Sequence, residues 1–445
     1  MNETKKTIIY GSVAVVLAVL AFILAPKRVT PEAFIDQGEP FYPEFTNPND
    51  AQTLEVISFD ESTGSAHPFK VTFQDGRWVI PSHYDYPADA KDRLAKTAAG
   101  VIGIKKDDYR TDNVSEYESL GVIDPLDETV PGLAGRGERV TIKGTNDKIL
   151  ADLIIGKPVE GHKGMRFVRV PDQKRVYACK MDLDISTQFK DWIDTDLLQV
   201  NRSRIDKIVL NDYSINERTG SVNQKDNLVL SRKDNKWRIN GQKKTQEVDS
   251  AKIQAVLTAI DSVTIVGVRP KPEGLSASLQ GTGGEQQISQ SDVFSLRNKG
   301  FFIARNGQLM SNEGELVVST ADGVVYTLRF GEVTGDASGD DGSGSNAGDN
   351  RYLFVTARFE PSLLPEPPLP TDTTFLGKAD SLMTDADRAN RSKQQEHQRW
   401  ESNVKKGKET ADNLNARFAD WYYVISGRSF DQLRLKRSDL LAAKS

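Results

Sequence analysis

Four histidines, one cysteine and a scatter of carboxylates are the groups from which a catalytic or metal site would have to be built. His67, His83, His162 and His397 show neither HExxH nor His-x-His spacing, so no two of them share a helix or strand face as metal ligands do. Cys179, alone in the chain, excludes an intramolecular disulfide and a cysteine zinc site; just after Val176-Tyr177 it reads as a small core hydrophobe. Asp182-Leu-Asp184 and Asp194-Thr-Asp196 resemble metal-binding pairs, but they flank a helix expected around 186–192 and are better explained by capping and solvation. The acidic tract GDASGDDGSGSNAGDN at 335–350 fails as a calcium loop: counted from Asp336, Asp341 stands at the glycine position and Ala347 at the last ligand position. Gly132, Gly135 and Gly137 precede a strand, whereas phosphate-binding glycines open a helix. Ser402 and Lys405 match S-x-x-K only inside a charged helical run. No catalytic, cofactor-binding or metal-binding residue is assigned on these grounds, and the expectation is a chain that is not an enzyme and takes no cofactor.

The elements that would position any site come in a definite order. At 445 residues the chain is too long for one average core, and 38% apolar residues suit a folded protein with two or three domains. A net charge of -5, from 58 basic and 63 acidic residues, argues against nucleic acid as the main partner. After a short tail at 1–7, residues 8–25 form an uncharged run of about 27 Å if helical, enough to cross a bilayer core. A cleaved signal peptide is the competing reading. Cleavage after Ala25 would place Ile23 where a small residue is wanted and Pro26 just after the cut, so a transmembrane signal anchor is expected. Lys5 and Lys6 on one side balance Lys27 and Arg28 on the other, so flanking charge alone does not orient it. Residues 26–50, with five prolines, read as an extended linker.

From residue 51 onward the dominant signal is an internal repeat. LEVISF at 54–59 is answered by IDKIVL at 205–210, and FKVTFQDGRWVIP by LVLSRKDNKWRIN, with Trp237 for Trp78 at an offset of 159. A helix follows in each copy, with Leu94, Ala95, Ala98, Val101 and Ile102 on one face, and Ile253, Val256, Leu257 and Ile260 on the other copy's. Strand pairs at 139–157 and 315–332 end in Gly156 and Gly331. The fold class is therefore α+β: two tandem strand-rich repeats with packed helices, at 51–200 and 201–445. The paired positions of Trp78 and Trp237 favour core packing over ligand stacking.

The second copy carries insertions at 272–300, 335–350 and 360–420. The last combines a proline-rich stretch, 360–370, with about forty helix-forming residues, 378–418, as one helix or a hairpin. The expected arrangement is a helix or helical hairpin laid over the second domain with solvated outer faces; the alternative is a dedicated docking arm, with Trp400, Val404, Leu414 and Phe418 of its sparse apolar stripe as the partner contact. On this reading, deleting 378–418 leaves both domains folded.

Several of these residues together carry a resemblance. Trp78 and Ile80 before Pro87 to Ala90, the run Tyr117-x-x-Leu120-Gly121-x-x-Asp124-Pro125, and Ile154 to Lys157 with Val176-Tyr177 resemble the domain of unknown function 4340 family. Asn312 to Leu316, Tyr326 to Gly331 and the C-terminal WYYVI...F..LRL.R.DLL extend the likeness. It covers most of 51–332; Val248 departs from it by standing where the first copy has Pro87. The resemblance implies a single-pass protein of a bacterial inner membrane with its repeats on the periplasmic side, similar to companions of gliding-motility-type ABC transporters. It implies no catalytic residues. The expected role is a scaffold or accessory subunit beside an ABC permease and ATPase. The alternatives are a periplasmic ligand- or polymer-binding module using the inter-repeat cleft, and an envelope hydrolase.

Overall fold

The computed structural model describes residues 13–17, 19, 36–216, 219, 221–280, 288–334 and 349–443. Among them no helix is long and apolar enough to cross a membrane. The expected anchor at 8–25 lies outside the described residues except for 13–17 and 19, which are helical and exposed. The tract 335–350 lies outside them except for its last two residues. The protein is a mixed α/β fold, rich in strands and carrying one long helix near its C-terminus.

The strands are β1 Thr53–Asp60, β2 Ser65–Gln74, β3 Arg77–Ile80, β4 Tyr86–Pro87, β5 Asp108–Thr111, β6 Glu138–Lys143, β7 Ile149–Pro158, β8 Met165–Arg169, β9 Val176–Lys180, β10 Ile205–Asn216 and β11 Ser221–Lys233. They continue as β12 Lys236–Ile239, β13 Gln246–Val248, β14 Ile265–Pro270, β15 Phe301–Ile303, β16 Leu309–Ser311, β17 Glu315–Thr320, β18 Val324–Val333, β19 Arg351–Phe359, β20 Trp421–Ile425 and β21 Leu441–Ala443. The helices are α1 Lys91–Ile102, α2 Tyr117–Leu120, α3 Ser250–Asp261, α4 Glu273–Gln280, α5 Gln290–Arg297, α6 Asp385–Ala419, α7 Gly427–Leu433 and α8 Arg437–Leu440. Contacts divide the chain into two compact units, Met1–Pro68 with Leu94–Ile185, and Phe69–Arg93 with Ser186–Ser445.

In the first unit the strands run β1-β6-β7-β8-β9-β5. In the second they run β12-β11-β10-β17-β18-β19-β20-β14. From β1 and from β10 onward the order is the same, strand for strand. The hairpins β2–β3 and β11–β12 also match: Asp75-Gly76 and Asp234-Asn235 all have positive φ, as a two-residue turn compatible with strand twist requires. Gly156 and Gly331 fix the equivalence, since a Cβ on either would collide with a backbone carbonyl, of Leu120 and Lys299 respectively.

Counted from these glycines, the pairings Leu54↔Ile142 and Ile208↔Val318 make Leu54 equivalent to Ile208. The sequence alignment of 54–59 with 205–210 is therefore three residues out of register. A 3-10 turn at Arg202–Arg204 and an irregularity between Ile205 and Lys207 shift the start of β10.

The contact units also do not coincide with the repeat boundaries, because Phe69–Arg93 groups with the second unit. There Phe69 meets Trp192 at 5.8 Å, His83 stacks on Phe189 at 4.6 Å, and Tyr86 meets Trp421 edge-on at 5.0 Å. The expected linker is docked from residue 36 on. Phe45 is buried, Phe41 meets Tyr177 edge-on, and the Tyr42 hydroxyl donates to the Asp152 carbonyl at 2.5 Å. Its aromatic residues outweigh its prolines.

The 35-residue α6 is one continuous helix about 52 Å long, begun by a Thr384–Asp387 capping box. It lies over β18 and β19, where Asn415 accepts from the Ala357 amide at 2.8 Å. At its C-terminus three carbonyls would lack partners; the buried Lys271 ammonium donates to Phe418 O at 2.8 Å, the Lys271 amide to Asp420 O, and the Ser276 hydroxyl to Ala419 O. The Lys271 ammonium also sits 4.0 Å from the centroid of Phe354, within a core of Leu275, Leu296, Phe301, Tyr352 and Tyr422.

Candidate functional site

The first unit holds a cavity of about 500 Å³ beneath the run that carries the Tyr117–Asp124 motif. Asn113 caps a 3-10 turn that leads into α2, and Gly121 ends the helix with φ +70°. This short element presents Tyr117 and Leu120 to a core with Val122, Ile154 and Val176. The Tyr117 hydroxyl is spent on Lys174 O at 2.7 Å.

Two arginines form the polar wall. Arg169, at the end of β8 and only 7% exposed, lays its guanidinium over the Tyr117 ring at 4.7 Å. Its Nε donates to Val122 O at 3.0 Å and its Nη1 to Pro171 O at 2.6 Å and Gln173 O at 3.2 Å. Burial lowers its pKa from the ordinary guanidinium range, while Tyr117, Asp124 and Asp127 favour its charge. Arg139 on β6 grips Asp152 of β7 with two bonds, 3.0 and 2.7 Å, and Asp124 with a third at 2.9 Å. The Asp152 bonds raise its pKa. Asp124 also accepts from the Leu126 amide, and Asp127 is held low by the hydroxyl and amide of Thr129. Ile123 and Val130 add apolar wall, and at the rim Val114 and Leu126 are 55% and 50% exposed.

The charged groups here therefore hold the cavity's own shape. Nothing pairs a base with a nucleophile, and among the described residues no three His, Cys, Asp or Glu side chains converge as a metal site would need. What the cavity offers is a fixed concave wall whose exposed lining pairs the apolar Val114 and Leu126 with Ser115 and Glu118. Its chemistry is not duplicated. By register, the second sheet has Glu315 at the place of Arg139, Arg329 at that of Ile154, and Phe354 at that of Arg169.

Residues 78–278 match the family model of a domain of unknown function, DUF4340. They are a DUF4340 domain. Tyr117, Asp124, Arg139, Asp152 and Arg169 lie inside it. The other motif positions quoted above for that family, from Asn312 onward, lie outside the DUF4340 stretch, as do residues 51–77. No curated protein and no solved structure matches the chain.

The residues expected to contact a partner are placed differently from one another. Leu414 and Phe418 are 4% and 1% exposed, because the last turns of α6 are packed into the second unit. Trp400 and Val404 are half-buried, and the Trp400 indole donates to Leu364 O at 2.8 Å, tying the helix to the proline-rich stretch. Trp78 and Trp237 are also only half-buried, since β3 and β12 are short strands at a hairpin margin; the fully buried tryptophan is Trp192. Cys179 is buried. The flanking aspartates hold turns and ion pairs: Asp194 accepts from the Asp196 amide and pairs with Arg417, and Asp184 pairs with Lys96. The expected helix at 186–192 is a 3-10 turn, Phe189–Trp192. Sequence reading missed Arg139, Asp152 and Arg169. The clearest signal was Asp152, a charge within the apolar run Ile149 to Ile155; Arg139 and Arg169 share their strands with other charged residues and do not stand out.

Proposed function

We propose that this chain is an accessory subunit that works by binding, anchored in the bacterial inner membrane by residues 8–25 with its folded units on the periplasmic side. It serves an ABC-type transport or envelope complex, and its cavity beside Tyr117 receives an apolar side chain of a partner protein. The observation that carries the binding role is the division of labour in that cavity. Arg139 and Arg169 are committed to Asp124, Asp152 and backbone carbonyls, whereas Val114 and Leu126 at the mouth are apolar and exposed. Exposed apolar side chains beside a preformed hollow are the form of a docking point, and committed charges are a poor basis for acid–base chemistry.

The test is the double variant Val114→Asp/Leu126→Asp in the full-length protein. Both side chains are exposed, so the fold is kept while the mouth becomes charged. The expected outcome is loss of an ABC permease and ATPase from the material co-purified in mild detergent. Undiminished recovery of both would remove the cavity from the proposal.

A further inference from the structure

A second concavity, in the other unit, has the opposite character. It encloses about 800 Å³ between the β11–β12 hairpin, β13 and the first turns of α3. Its lining includes Arg202, Arg232, Lys236 and Arg238 against a single acid, Glu247. Four cations to one anion is a strong local excess in a chain whose net charge is -5. Arg232 is neutralised, since it binds Asp206 at 2.7 Å. The others are not. Arg202 donates to the neutral Thr258 hydroxyl at 3.2 Å, and neither Lys236 nor Arg238 has an ion-pair partner among the described residues. Lys236 and Arg238, two apart on β12, are both exposed and both line the hollow. Trp237 between them is half-buried, lines the same hollow and has the Arg232 guanidinium 5.9 Å from its ring centroid.

The charge is a property of this copy and not of the hairpin as such. At the matching places of the first hairpin stand Arg77, Trp78 and Val79, so the second copy has gained a cation where the first has valine. Three cations that line one hollow without ion-pair partners among the described residues repel one another. An oxyanion with several acceptor oxygens relieves that repulsion and can be met by guanidinium and ammonium donors together. A volume of this size takes a small organic molecule, larger than a bare ion.

We propose that this cleft binds a phosphate-bearing ligand, with Arg202, Lys236 and Arg238 on the phosphate and Trp237 walling the adjoining part of the molecule. The site is independent of the docking cavity in the first unit. Its ligand is either a soluble phosphate ester or a phospholipid headgroup, which offer the same chemistry.

The experiment uses the full-length protein in nanodiscs of phosphatidylcholine, with inorganic pyrophosphate as probe and calorimetry as readout. The expected result is saturable binding that weakens as salt is raised and falls by about tenfold or more in Lys236→Glu/Arg238→Glu. Both side chains are exposed at a hairpin margin, and circular dichroism checks that the variant is folded. Arg77→Glu, at the first hairpin, leaves the affinity unchanged. Including phosphatidylglycerol in the disc distinguishes the sources: a weakened pyrophosphate affinity identifies a lipid headgroup as the occupant, and an unchanged one identifies a soluble ester. Absence of binding, salt-independent binding in the wild type, or an equal loss in Arg77→Glu would overturn the proposal.

Discussion

Replacing Lys271 by methionine removes a buried ammonium and keeps most of its volume, and the consequence depends on pH in a way the structure specifies. Lys271 is 6% exposed, and burial depresses its pKa from the ordinary 10.5 to about 7, with Asp420 opposing the shift. The unfolded chain therefore holds this proton up to about pH 10.5, and the folded chain releases it near pH 7. Between these values the unfolded state binds more protons, so this group makes stability rise with pH. Below pH 7 both states are charged and the penalty is complete, at most about 5 kcal/mol for a shift of this size. Raising the pH from 7 to 9 relieves about 2 kcal/mol of it. Lys271→Met has no such dependence, and its lost bond to Phe418 O costs about 1 kcal/mol at every pH. All five tryptophans fall in the second unit, so urea unfolding followed by tryptophan fluorescence reports the unit that contains Lys271. The stability of wild type relative to the variant should climb by about 2 kcal/mol from pH 7 to pH 9. Parallel pH profiles for the two proteins would refute the reasoning.

Gly407→Ala in α6 tests the seating of the long helix. A Cβ there would lie 2.6 Å from the Phe359 ring and 2.7 Å from Asp322 O, so the change should destabilise the second unit by about 1–3 kcal/mol. A helix not pressed against β19 would instead gain up to about 1 kcal/mol from the same substitution, which reverses the sign. Deleting 378–418 should abolish the cooperative tryptophan transition, since it removes the buried Ala411, Leu414 and Phe418; a preserved transition would return the segment to the role of a detachable arm. Arg169→Leu strips the carbonyls of Val122, Pro171 and Gln173 of a donor and should cost the first unit about 2–4 kcal/mol, read as faster amide exchange in β8 and β9. Unchanged exchange there would show that water replaces the guanidinium without loss.

Local rules made much of the fold legible. The two-residue turns at Asp75-Gly76 and Asp234-Asn235 and the Asp249 cap on α3 are each set by neighbouring residues, and each is plain in the sequence. Long-range balances were not. The register of β10 depends on a turn and an irregularity that apolar alternation cannot reveal, hence the three-residue misalignment of the repeats. Residues 36–50 look like a spacer until Phe41, Tyr42 and Phe45 are given something to pack against. The apolar stripe of α6 sufficed to expect a helix laid over the second domain but not how deeply Leu414 and Phe418 sit, because Gly407 and Ala411 on the same buried face carry little apolar signal. The candidate site was half legible. Tyr117 and Asp124 stood out in a recognisable motif, while Arg139 and Arg169 become informative only when pairing brings Asp152 opposite Thr141 and Arg169 opposite Ile154. The basic cleft could not be seen at all from net charge, which averages it away.

The accessory-subunit proposal is tested most directly by extracting the native full-length protein in mild detergent, capturing it, and identifying by mass spectrometry what is retained. The account predicts reproducible recovery of an ABC permease and its ATPase in constant proportion to the chain. Recovery of the chain alone, under conditions in which a known membrane complex stays intact, would contradict it.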